Sequence, residues 1–370
     1  MPRAKSSHAE GMAALVTHTL TELVGISSVS GQEDGVRDYL RARLERLGIA
    51  SSVDGAGNLI ASVPGSGPPL LLNAHMDRVP PGRGHTPVVH EGVMRSDGAT
   101  NLGADDAAGL TVIVLAVEAL AARTLIHRPL ILLFTTGEEI DMRGAAAFDP
   151  APWGVAEGLV FDNAGQAGAI VTHGSSYVAF DAVLRGRAGH PGKELAGTAS
   201  AIEMLRRLAL PLGSLDGDTT RISLGTIAGG TARNAIPAEV RLAGEVRTLL
   251  RGEALLRLVE SIEADFDDAA RQVGGSAECL FEPHGAGYQV DASEPLLTAW
   301  RAVWTARGHA FETITSFIGS DANALRKRLL VLTVSTGVEG EHTTEESIAL
   351  APLAELVEAT VSLLTESASR

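Results

Sequence analysis

The sequence predicts an α/β protein in which a mainly parallel sheet covered by helices is interrupted by a smaller α+β domain. Over the first 170 or so residues, short apolar runs alternate with helical patterns, as in a mainly parallel sheet. Near Ser176 the texture changes to strands of alternating polarity, and after about Gly287 the first pattern resumes. A chain of 370 residues also exceeds the usual span of one hydrophobic core, so two domains are expected. The implied boundaries are 1–175 and 287–370 for the two parts of the larger domain and 176–286 for the insertion.

Helical spacing begins at about Met12 and runs to Val24. A second helix follows Ser30 and Glu33, which have the spacing of a capping box; Val36, Leu40, Leu44 and Leu47 form its stripe, and Gly48 ends it. Leu59 to Val63 and Leu70 to Asn73 read as buried strands, the second leading into His75 and Asp77. Asp105 and Asp106 open an apolar helix, where acidic residues suit the positive end. Pro129 to Thr136 and Leu159 to Phe161 are further buried strands, delivering Glu138 with Glu139 and then Asp162. In the insertion, Tyr177–Leu184, a helix near Ala199–Leu208, Arg221–Ala228, Ala238–Arg247 and a helix from about Glu253 to Val273 suggest strand, helix, strand, strand, helix, strand. A helix near Glu294–Arg307, the strand Val331–Thr333 and a final helix from Thr343, capped by Thr343 and Glu346, complete the pattern.

Hydrophobic residues make up 45% of the chain and charged residues 20%, a balance that excludes disorder. The net charge of −15 argues against nucleic acid or an anionic membrane as partner. Cys279 is the single cysteine, which excludes an intramolecular disulfide and any cysteine-held metal. The first residues lack the form of a secretory signal and no apolar run suits a membrane span. The cytoplasm is therefore the expected location.

His75, Asp77, Asp105, Glu138, Glu139, Asp162 and His342 all fall at the ends of elements, and such ends converge at one edge of an open α/β sheet. Two divalent cations roughly 3.5–4 Å apart need this inventory of imidazoles, terminal carboxylates and one shared carboxylate. A further glutamate would remain to handle protons. Each residue also has a plainer reading. His75 with Asp77 fits a hydrogen-bonded histidine at a strand end, Glu138 and Glu139 fit a solvated acidic loop, and Asp105 and Asp106 fit a helix cap. His190, in Gly-His-Pro-Gly-Lys, sits in a rigid turn that offers an imidazole donor.

Seven motifs, in order, resemble one family: Asn-Ala-His-Met-Asp, Leu-Gly-Ala-Asp-Asp-Ala-Ala-Gly, Thr-Gly-Glu-Glu, Gly-His-Pro-Gly-Lys, Arg-Asn-Ala-Ile-Pro-Ala-Glu, Ile-Gly-Ser-Asp-Ala-Asn and Glu-His-Thr-Thr-Glu-Glu. They are similar to the peptidase T-like branch of the di-zinc peptidases that includes aminoacylases and glutamate carboxypeptidase. The resemblance runs from about His18 onward. It implies that His75 and Asp162 hold one metal, Glu139 and His342 the other, and that Asp105 bridges them. Asp77 would support His75 and Glu138 would act as general base.

The resemblance further implies that the insertion is a lid and homodimerisation domain, in which His190 polarises the scissile carbonyl and Asn234 and Arg247 hold a substrate carboxylate. The segment Ala324–Arg328 departs from the small or apolar residues usual there, so substrate choice stays open. The expected cofactors are two divalent ions, zinc first, with manganese or cobalt as alternatives. The expected reaction is hydrolysis of an amide bond in a small peptide or N-acyl amino acid. Competing readings are a catalytically silent metal-binding scaffold on the same fold, a di-metal aminopeptidase of the lidless type, and a metal-free glycoside hydrolase with paired carboxylates.

Overall fold

The computed structural model describes residues 2–193 and 195–366, with side chains from residue 11. It divides into two compact units, residues 1–172 with 289–370 and residues 173–288.

In the first unit, α1 (Pro2–Val24) and α2 (Asp34–Arg46) precede β1 (Ser51–Val53), β2 (Leu59–Val63), β3 (Leu70–His75), β4 (Val88–His90) and β5 (Val93–Arg95). Next come α3 (Ala104–Ala122), β6 (Leu130–Thr135), α4 (Arg143–Ala147), β7 (Glu157–Val160) and β8 (Ile170–Gly174). The second unit holds β9 (Ser176–Arg185), α5 (Ala201–Arg207), β10 (Gly213–Leu215), β11 (Thr220–Gly229), β12 (Glu239–Thr248), α6 (Gly252–Val273) and β13 (Ser276–Gly285). The chain then returns through β14 (Tyr288–Gln289), α7 (Pro295–Ala306), β15 (Thr313–Ser316), α8 (Asp321–Leu325), β16 (Leu330–Val334), β17 (Val338–Glu339), β18 (Ser347–Ala349) and α9 (Leu350–Glu366).

The large sheet has the order β1-β2-β6-β3-β7-β16-β8-β14, with β15 paired to β8. Its middle strands β6, β3, β7 and β16 are parallel, and antiparallel strands flank them. Every residue of β3 and β6 is buried. That explains the apolar runs Leu70–Leu72 and Leu130–Phe134, since a parallel strand covered on both faces has no solvent side. Across the sheet edge α3 is buried over 15 of its 19 residues, so its first turn is held at a fixed depth beside the end of β3. A small sheet, β17-β18-β5-β4, joins the segment before α3 to the segment before α9. No helix among the described residues is long and apolar enough to cross a membrane.

The second unit is a five-stranded antiparallel sheet, β10-β11-β12-β9-β13. Alternation along β9 buries Val178, Phe180, Ala182 and Leu184. These join Met204 of α5 and Ile262 and Phe266 of α6 in one core.

Three sequence expectations change. Helix α1 begins at Pro2 rather than near Met12. Ser30 and Glu33 form no capping box: α2 starts at Asp34 and its first turn receives no side-chain cap. No helix starts at Thr343, where the chain turns and then forms β18, so the last helix begins at Leu350. Both false caps have the right spacing, but their side chains bond elsewhere, as described below.

Gly158 lies in β7 opposite Leu71 of β3 and Val331 of β16. A Cβ there would stand 2.6 Å from Leu71 Cβ and 2.8 Å from Leu71 O. Gly158→Ala should therefore overpack the central strands and cost about 1–3 kcal/mol, read as a lower denaturant midpoint with unchanged slope.

Candidate active site

His75 ends β3, and its ring Nε2 lies 3.1 Å from Asp105 Oδ1 and 3.8 Å from Asp162 Oδ1. His342, 237 residues beyond Asp105, places its Nε2 3.2 Å from the other oxygen of that carboxylate. The same nitrogen is 3.1 Å from Glu139 Oε1. One carboxylate thus has an imidazole at each oxygen. Three sets of side chains bring their ligand atoms within 4.8 Å of one another: His75, Asp105 and Asp162; Asp105, Glu139 and His342; and His75, Glu138 and Glu139.

Asp105 departs from helical geometry at the start of α3 (φ −82°, ψ 107°), which turns its carboxylate toward the histidines. Its neighbour Asp106 takes a different part. Its Oδ1 accepts from Gly109 N at 2.9 Å and its Oδ2 from His75 N at 3.2 Å, so it clasps the start of α3 to the end of β3. A side chain at Gly109 would leave this carboxylate no room, because a Cβ would lie 2.5 Å from Asp106 Oδ1.

The loop before Asp105 is held by Glu346. Its Oε2 accepts from Leu102 N and Gly103 N at 2.8 Å each, and its Oε1 from Asp105 N at 3.0 Å. This is the residue that the sequence reading assigned to a helix cap. Glu33 and Ser30 are likewise drawn toward the site: Glu33 Oε1 accepts from Gly31 N and Gly137 N, and Ser30 Oγ donates to Asp77 Oδ2 at 2.7 Å.

The Asp77 carboxylate accepts from Glu138 N at 2.9 Å and Glu139 N at 3.2 Å. The nearer partner of His75 Nδ1 is the Asp77 backbone carbonyl, at 3.0 Å, whereas the carboxylate is 3.5 Å away. Asp77 thus orients His75 through its main chain and the two glutamates through its side chain. Strand β6 ends at Thr135, and the turn after it lets these adjacent glutamates diverge from the alternation of an extended chain.

The site is crowded with negative charge. Burial raises the proton affinity of Glu138 well above the usual carboxylate range, and Asp162 reinforces it. Burial does the same for Asp162, against the pull of His75. For Asp105, burial is outweighed by hydrogen bonds from His342 and His75, and its pKa falls. The Asp105 and Glu139 carboxylates push His342 up to about 10. Asp162 Oδ2 is buried without a hydrogen-bond partner, and Glu139 Oε1 is buried with the ion-pair contact to His342 Nε2 at 3.1 Å. Two buried carboxylate oxygens beside two imidazoles fit a divalent cation, whose charge would invert the local proton affinities.

Against this geometry the comparisons are direct. The model of Peptidase family M20/M25/M40 matches residues 71–366. The chain belongs to this family. It is 31% identical over 360 residues to the YqjE protein of Bacillus subtilis, covering 94% of this chain and 96% of that one. Among solved structures, it is similar to aminopeptidase PepT from Bacillus cereus, with a TM-score of 0.90, 27% identity, and coverage of 97% of this chain and 99% of that one. A tripeptidase from Staphylococcus aureus gives a TM-score of 0.92 at 25% identity with the same coverage. The resemblance to the peptidase T-like branch therefore holds, and the chain is a hydrolase of a peptidase family.

The remaining sequence candidates lie in the second unit. Gly192 N donates to His190 Nδ1 at 3.0 Å, which leaves the ring proton on Nε2. Asn234 is exposed in a turn. Arg247 lies 3.0 Å from Glu245 Oε1 and stacks 4.3 Å above the Tyr177 ring, so its guanidinium is engaged within its own unit. Two of the three basic residues after Asn323 have structural partners. Arg326 pairs with Glu294 at 2.7 Å and Arg328 donates to Phe148 O at 2.7 Å. Sequence reasoning missed Asp106, Glu346 and Ser30 as organisers of the site, because a residue that bonds backbone amides carries the same local signature as a cap.

Glu346→Gln replaces one acceptor oxygen by a donor facing backbone N–H groups. The loop carrying Asp105 should shift, and cation affinity should fall by roughly 10–100-fold. Equilibrium dialysis against zinc would check this; wild-type affinity would mean that the loop is held without Glu346.

Proposed function

We propose that this protein is a two-metal peptidase that hydrolyses the amide bond of small peptides, with N-acyl amino acids as the second substrate class. One observation carries the reading: Asp105 presents one oxygen to His75 and the other to His342, as a bridging carboxylate would. His75 and Asp162 would hold one ion and Glu139 and His342 the other. Similarity to an aminopeptidase and a tripeptidase favours peptides over N-acyl amino acids. Zinc is the first choice of ion, with manganese and cobalt next.

Bound cations would supply Lewis-acid polarisation of the carbonyl and acidify a water between them. Glu138, whose proton affinity burial and Asp162 raise, accepts the proton of the attacking water and returns it to the leaving nitrogen. Asp77 fixes the peptide units of Glu138 and Glu139 so that one glutamate faces the ions and the other the substrate. His190, with its proton on Nε2, donates to the carbonyl oxygen as charge develops there. Asn234 and Arg247 would bind a substrate carboxylate, Arg247 by exchanging Glu245 for the ligand. Roles for the second unit as lid and homodimer contact, and residence in the cytoplasm, belong to the same proposal.

The test is a screen of di- and tripeptides and N-acyl amino acids on protein reconstituted with zinc, manganese or cobalt. Hydrolysis should disappear on exhaustive chelation and return with metal. Activity that survives chelation would overturn the metal reading in favour of paired carboxylates acting alone.

Two ions per chain are expected, with proton release on uptake. The Asp105 and Glu139 carboxylates push His342 up to about 10, so at neutral pH a proton must leave before the imidazole can act as a ligand, and affinity should fall as pH is lowered. Metal analysis and pH-stat titration would show this; a stoichiometry of one, unchanged by Asp105→Ala, would remove the bridging role. Glu138→Gln should keep both ions but lower turnover by roughly 10²–10⁴-fold, whereas Glu139→Gln should weaken metal binding; the opposite pattern would exchange their roles. His190→Ala should leave metal content unchanged and lower kcat, and a wild-type rate would make it an ordinary turn residue.

A further inference from the structure

The segment 318–323 borders the site, where Ile318 and Gly319 line a small pocket with Asp105 and Asp162, and it buries a carboxylate among the strands that carry that site. Asp321 is 1% exposed. Its Oδ2 accepts from Asn73 Nδ2 at 3.2 Å and from the Thr135 hydroxyl, while its Oδ1 has no partner. Asn73 lies two residues before His75 on β3, and Thr135 ends β6 three residues before Glu138. In the parallel register Asn73 stands opposite Leu133 and His75 opposite Thr135. One carboxylate oxygen therefore grips both strands near their C-terminal ends, and a slip of β3 against β6 would break at least one of the two bonds.

Asp321 is itself anchored. It opens α8, whose first turn is fixed by a reciprocal cap in which Ser320 and Asn323 bond each other's backbone. Asn73 ties the same strands more closely, since its Nδ2 also lies 3.1 Å from Leu133 O and 3.3 Å from Thr135 Oγ1. Burying a carboxylate against two neutral donors is costly. The cost has a return if the carboxylate holds the strand ends at the spacing that the adjoining ligands need.

We propose that Asp321 is a positioning residue for the metal site: its carboxylate pins the C-terminal ends of β3 and β6, and through them His75 and the Glu138–Glu139 turn, at the separation that accepts two cations. This rests on the two-metal reading of the site. It assigns Asp321 no contact with substrate or ion.

The experiment loads wild type, Asp321→Ala, Asp321→Asn and Thr135→Val with cobalt(II), recording the visible spectrum, the cobalt dissociation constant, kcat, KM and the unfolding midpoint. Asp321→Ala should show an altered cobalt spectrum, roughly 10–100-fold weaker cobalt binding and a reduced kcat with KM within about twofold. Asp321→Asn keeps an oxygen for Asn73 and Thr135 and should restore the wild-type spectrum, while Thr135→Val should change it in the direction of Asp321→Ala. A wild-type spectrum and affinity in Asp321→Ala would overturn the proposal, as would equal damage from Asp321→Ala and Asp321→Asn, which would assign the effect to charge. Should Asp321→Ala fail to fold, Thr135→Val decides, and wild-type behaviour there overturns the pin. A wild-type protein that takes up no cobalt defeats the two-metal reading itself, whereas two bound ions with an unperturbed Asp321→Ala defeat only the pin.

Discussion

Crowded negative charge is the constraint on which the rest of this structure depends. Asp77, Asp105, Asp106, Glu138, Asp162 and Asp321 lie close enough for their charges to act on His75 or on one another. Burial and mutual repulsion both favour protonation of such a group. The protein cations acting on this cluster include the two imidazoles and Arg78. The latter is 1% exposed, donates to the carbonyls of Leu23, Val24 and Ile26 at the end of α1, and is influenced by Glu346, Asp105 and Asp106. Burial lowers its pKa to about 10, with those carboxylates opposing the fall.

The fold meets this constraint by dividing the acidic residues into two kinds. Asp105, Glu139 and Asp162 turn toward the histidines, and Asp162 keeps an oxygen without a hydrogen-bond partner. Asp77, Asp106 and Glu346 are spent on backbone N–H groups, and each holds the segment that carries one of the first kind or a histidine. Backbone N–H bonds favour the charged form of a carboxylate, and for Asp106 and Glu346 they oppose a burial that still raises the proton affinity. The backbone of this region is thus held by the same chemistry that fills its centre.

Much of this was legible in advance. Unbroken apolar strands announced the parallel sheet, and a change to alternating polarity announced the antiparallel one, because burial on two faces or one leaves that mark directly. The seven metal-site candidates were visible as polar residues at the ends of apolar strand runs or at the expected starts of helices. Less legible was anything set by a hydrogen bond across a long sequence separation. Ser30 with Glu33 and Thr343 with Glu346 have the spacing of caps, but spacing cannot reveal that Asp77 or the Leu102–Asp105 amides compete for the same side chains. The short strands β4, β5, β17 and β18 escaped notice for a related reason: two or three residues are too few to show a period. Asp321 was in view inside a recognised motif, with no local pattern to say that it would be buried beneath two strands.

The place of β16 in the large sheet bears on how the chain is made. Residues 330–334 sit between β7 and β8, whose sequences were completed more than 150 residues earlier. On a ribosome, the N-terminal strands must wait with a gap in the middle of their sheet while the whole second unit is synthesised. The second unit draws its core from residues 178–281 and has no such dependence. His75, Asp105 and Asp162 are present early and His342 emerges late, so on the proposed assignment the residues of one metal position would be complete long before those of the other. Exposed parallel edges during that interval favour aggregation, and chaperone demand during synthesis follows from strand order rather than from any weakness of the finished fold.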